Sequence, residues 1–71
     1  MQTVNKAQFI LWLDGGLLHF ENGRGTAVNE KECKAAMEAL EMGETIAFKD
    51  NFGKIISKGV MVGDTIKEIE A

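Results

Sequence analysis

A chain of 71 residues, 45% apolar and 27% charged, has the composition of one folded domain spanning residues 1–71, not of a disordered segment. A domain of this size buries only about 60% of the surface its unfolded chain exposes, so marginal stability is expected and dimerisation is left open by size alone. The net charge of −3 argues against broad electrostatic attachment to nucleic acid or to an anionic membrane, and one cysteine excludes both an internal disulfide and a cysteine-rich metal site.

The chain opens MQTVNKAQFILWL. One lysine precedes the apolar run FILWL, which is too short for the core of a signal peptide or for a membrane span, so a cytoplasmic location is the expectation. Just before that run stands VNKAQF, residues 4–9, and the chain repeats the pattern as VNEKEC, residues 28–33. Each is a device for starting a helix. An Asn side chain accepts from the N–H three residues on, and the Gln or Glu at that third position reaches back to the N–H of the cap. An apolar residue before the cap packs on the one at the fourth position: Val4 on Phe9, and Val28 on Cys33. Asp14-Gly15-Gly16 and Glu41-Met42-Gly43 then supply the glycine that lets a helix end, which predicts helices over roughly 5–14 and 29–42.

FILWL taken alone also suits a buried strand, and the cap at Asn5 decides for a helix. In that helix Phe9, Ile10, Trp12 and Leu13 share a broad face, and Leu11 is left on the other side near Ala7. Next, LLHFE (17–21), Asn22-Gly23 and RGTAV (24–28) read as a hairpin around a two-residue turn. In the second helix Cys33, Ala36, Met37 and Leu40 form an apolar stripe with the helical period.

Beyond it, ETIAFK (44–49) alternates, with Ile46 and Phe48 on one side. Asp50-Asn51-Phe52-Gly53 is a turn and KIISK (54–58) returns. Gly59 is read as a bulge or break before VMV (60–62), and Gly63-Asp64 leads to a last strand, TIKEIE (65–70). The predicted fold is α+β, with two helices packed on a small, mainly antiparallel sheet in the order α-β-β-α-β-β(-β).

The parts of an active site are missing from this inventory. Cys33 sits on the apolar stripe and reads as a small buried hydrophobe, although a place in the first helical turn would lower a thiol pKa. His19 lies mid-strand with no partner base or nucleophile specified beside it. No His/Cys spacing fits zinc, the turn at 50–53 is too short for a calcium loop, and the glycines at 23 and 25 precede a strand where a phosphate cradle needs a helix. No catalysis, metal or cofactor is expected.

What remains is binding. Trp12 reads mainly as core, while Leu11 and Phe52 are equally well read as core or as anchors for a partner protein or a second copy of the chain. Size, a small core and absent catalytic parts give the expectation of a non-catalytic accessory protein, such as an inhibitor or regulator of bacterial or phage type, that binds another protein or pairs with itself. The alternative is a nucleic-acid-binding regulator. It would use Lys49, Lys54 and Lys58 on one hairpin, with Arg24 at the tip of the other. Lysines on an edge hairpin also serve simply to block strand aggregation, and acidic residues outnumber basic ones, 11 to 8.

Overall fold

The computed structural model describes residues 1–14 and 29–70. Strand β1 (Thr3–Asn5) runs directly into helix α1 (Lys6–Leu13). Helix α2 (Glu30–Glu41) is followed by β2 (Ile46–Lys49), β3 (Ile55–Val62) and β4 (Thr65–Glu70). The four strands form one mixed sheet in the order β1-β2-β3-β4. β1 and β2 are parallel, and the other two pairings are antiparallel. This is the expected α+β class. The hairpin predicted over 17–28, together with His19, Arg24 and the Val28 end of the second staple, lies outside the described residues.

Both helices begin where the repeated motif puts them. The Asn5 side chain accepts from the Gln8 N–H at 3.0 Å, and Asn29 accepts from the Glu32 N–H at 3.1 Å. Each bond satisfies one of the amides that a helix start leaves without an internal partner. α2 closes on Gly43, whose φ of 83° is the left-handed conformation that glycine adopts at little cost. Gly43 donates to the Leu40 carbonyl at 3.0 Å and Glu44 to that of Ala39 at 2.9 Å, the paired bonds of a Schellman ending.

β1 is absent from the sequence-based expectation. Three residues carry too little periodicity to announce a strand, and the last of them is also the helix cap. Its pairing with β2 is a tertiary event: Val4 comes opposite Phe48, and Ala47 donates to the Gln2 carbonyl at 2.8 Å.

The break expected at Gly59 is not there, because β3 runs unbroken through it. The irregularity lies a turn earlier, where Phe48 stands opposite Ser57 but Lys49 opposite Ile55. Gly59 has a packing reason instead. A Cβ there would lie 2.8 Å from Cε2 of Phe48 and 3.2 Å from Cγ1 of Ile46, so the missing side chain is the space the Phe48 ring occupies.

The turns match the residues that make them. Asp50 Oδ1 accepts from the Phe52 and Lys54 N–H groups, both at 2.9 Å, folding the 50–53 turn around one carboxylate. Gly63-Asp64 joins the paired residues Val62 and Thr65, with Gly63 at φ 64° as a two-residue hairpin requires.

The core lies between the helices and one face of the sheet. Val4, Ile46 and Phe48 meet Phe9 of α1 and Cys33, Ala36, Ala39 and Leu40 of α2. The Phe9 ring sits 5.7 Å from Phe48 and 6.1 Å from Trp12, centroid to centroid. Trp12, Met37, Met61 and Ile66 close the margins. Full burial of one such side chain contributes about 1.5–3 kcal/mol, so this small core rests on a handful of large residues.

Candidate functional site

The two helix starts are joined in a way the local motif does not require. Gln8 and Glu32 were expected to reach back to their own caps. Instead Gln8 Oε1 accepts from the Asn29 N–H, and Glu32 Oε1 accepts from the Asn5 N–H, each at 3.1 Å. Each N3 side chain therefore serves the other helix. Asn5 Nδ2 adds a bond to Asn51 Oδ1 at 3.0 Å, and Lys49 Nζ stands 3.4 Å from Glu32 Oε1. These groups line a polar cleft of about 580 Å³. These bonds tie the two helix starts and the 50–53 turn together, and among the described residues no buried side-chain polar atom lacks a partner.

α1 presents the opposite chemistry. Its sequence, KAQFILWL, is apolar on nearly every side, yet Phe9 is its one buried residue. The broad core face expected from Phe9, Ile10, Trp12 and Leu13 does not form. Trp12 is half-buried against the core, as expected, but Ile10 and Leu13 are 45% and 43% exposed. Leu11 is at the edge of exposure, and Phe52 stands out at the turn, 95% exposed.

Beside α1 runs a groove of about 300 Å³ lined by Ala7, Ile10 and Ile56, with Asn5, Lys6, Lys49, Asp50 and Asn51 completing its wall. Neither Leu11 nor Phe52 lines it. The sequence places Ile10 on the expected core face and assigns Ile56 to no face; only the fold brings the two to one groove.

The lysines proposed for nucleic acid are not gathered. Lys49 turns to the α2 carboxylate of Glu32, and Lys54 follows the exposed turn. Lys58 alternates with buried Ser57 and Gly59, which places it on the face of the sheet away from the helices. Arg24 lies outside the described residues.

Burial raises the Cys33 thiol pKa, with the Glu32 and Glu30 carboxylates adding to the rise, so desolvation prevails over any helix-dipole effect. Glu68 is shifted the other way. Its carboxylate accepts from the Ser57 hydroxyl and from Lys6 Nζ, and these two bonds hold it below the ordinary range. The contact ties β3, β4 and the start of α1 together.

No helix among the described residues is long and apolar enough to cross a membrane, and no three of their His, Cys, Asp or Glu side chains are grouped to hold a metal. No family model matches the chain, and no curated protein or solved structure matches it.

Proposed function

We propose that the chain is a small non-catalytic protein that works by binding another protein, or a second copy of itself, through the outer side of α1. One observation carries the reading: a helix apolar all round is ordinarily buried all round, and α1 buries a single side chain. Ile10, Leu11 and Leu13 on the helix, with Ile56 across the groove and Phe52 at the neighbouring turn, supply the large apolar contacts such an interface uses. An accessory protein of bacterial or phage type acting as an inhibitor would work in this way, by covering a surface its target needs.

The test has two arms. Sedimentation of the wild-type chain and of Ile10→Ser and Leu11→Ser reports self-association. Affinity capture from the native host, repeated with the same variants, reports a partner. Loss of a dimer or of a captured protein in the variants supports the reading. A wild-type monomer whose captured proteins are unchanged by both substitutions overturns it.

The nucleic-acid alternative has less to support it, because an ion pair to Glu32 occupies Lys49 and Lys58 belongs to another face. Salt-dependent retention on a single-strand DNA column that disappears with Lys54→Glu and Lys58→Glu would restore it.

A further inference from the structure

The two faces of the sheet differ in charge as well as in cover. On β4, Glu68 and Glu70 stand opposite the buried Gly59 and Ser57 and so belong to the helix side. The alternate positions of β3 and β4 form the other face, where Lys58 pairs with Ile69, Val60 with Lys67, and Val62 with Thr65. These six positions include two lysines and no carboxylate, in a chain whose net charge is −3. Val62 is 56% and Ile69 40% exposed.

Protection of a sheet edge explains a lysine on β4, the end strand among the described residues. It does not explain Lys58, which sits on the interior strand β3. Neither Lys58 nor Lys67 joins an ion pair among the described residues.

We infer that this face is a second docking surface, and that its occupant is an amphipathic helix of a partner protein whose apolar stripe is flanked by carboxylates. The branched side chains take the stripe, the two lysines take the flanks, and the partner's carboxylates supply the charge that these six positions lack. A second copy of the chain does not fit. Face-to-face packing would set lysines against lysines, and its acidic α2 could reach this face only head to tail, which gives an open-ended chain of copies. Single-stranded nucleic acid fits less well than acidic protein, because none of the six positions offers an aromatic ring for a base to stack on.

The experiment titrates isotope-labelled protein with two synthetic amphipathic peptides that share one Leu/Ala stripe, flanked by Glu in one and by Lys in the other. A thymine oligonucleotide is the third probe. The expected result is binding of the Glu-flanked peptide that weakens with salt and shifts the amide signals of Lys58, Val60, Val62, Lys67 and Ile69. Lys58→Glu with Lys67→Glu should weaken that binding by about tenfold or more, and the milder Lys58→Gln with Lys67→Gln by less. Circular dichroism confirms that the variants stay folded. Equal binding of both peptides, shifts confined to α1, tighter binding of the oligonucleotide, or no binding at millimolar peptide would each overturn the inference.

Discussion

α1 and α2 start with the same device and end up in different surroundings. Each has an Asn cap, an N3 side chain that accepts a backbone N–H, and an apolar residue at the fourth position. α2 goes on to bury Cys33, Ala36, Ala39 and Leu40 along one stripe and to turn its charges outward. α1 buries Phe9 and leaves Ile10 and Leu13 substantially in water. Capping, then, decides where a helix begins and says nothing about how much of it is covered. α2 is held by its stripe; α1 is held by Phe9, with Trp12 stacked on it at the core margin, and by bonds at its first turn.

The largest test of that contrast is Phe9→Ala. Truncating a buried phenylalanine costs about 3–5 kcal/mol, which approaches the whole stability of a small domain. The variant should be largely unfolded in a denaturant titration. A loss below about 1 kcal/mol would mean that α1 is seated by something other than Phe9.

The crossed caps sharpen the comparison at about 1 kcal/mol each, the typical cost of losing a helix cap. Glu32→Ala should speed hydrogen exchange at the Asn5 amide, at the start of the other helix, and Gln8→Ala should do so at Asn29. If each variant affected only its own helix, the crossed arrangement would not hold in solution.

Cys33 probes the well-covered helix. A small alkylating reagent should label it only as fast as the protein unfolds. Its raised pKa also has a sign. The unfolded thiol ionises first, near pH 8.5, so its contribution to stability is complete below that pH and is lost above it, as pH rises toward the folded pKa. Labelling faster than unfolding would show that the α2 stripe opens locally.

The smallest effect concerns the bond that α1 makes to the sheet through Lys6. Glu68 has a lowered pKa, so its contribution is present above the unfolded value, near 4.3, and is lost as pH falls through the folded one. Because the group is substantially exposed, the change is small. Glu68→Gln should flatten the stability profile below about pH 5 and leave the shape at neutral pH unaltered. An unchanged acid limb would show that the Lys6–Glu68 contact is too screened to matter.

Much of this fold was legible because its signals are local. A cap, a closing glycine and a two-residue turn each act within a few residues, and Asn5, Asn29, Gly43 and Gly63-Asp64 all behave as their types require. IAFK and TIKEIE form the expected strands, although burial follows a period of two in neither: Ala47 is buried beside Ile46 and Phe48, and on β4 only Ile66 is partly covered. The docking candidates were only partly legible. Leu11 and Phe52 stood out as surplus, but the groove between Ile10 and Ile56 needs residues far apart in the chain. The face holding Lys58 and Lys67 needs the register of two strands.

By itself, then, the sequence determined the two helix starts, the turns at 50–53 and 63–64, the strands that flank them and the α+β class, because each depends chiefly on neighbours in the chain. The tertiary structure alone decided that Thr3–Asn5 would be a parallel strand, that Gly59 would make room for Phe48 rather than break β3, and that Gln8 and Glu32 would cap each other's helices. Those outcomes depend on which distant groups the whole fold brings within hydrogen-bonding or van der Waals reach. The repeated Val-Asn motif belongs to both lists: each copy is a local rule, and the fold sets the two side by side so that each completes the other.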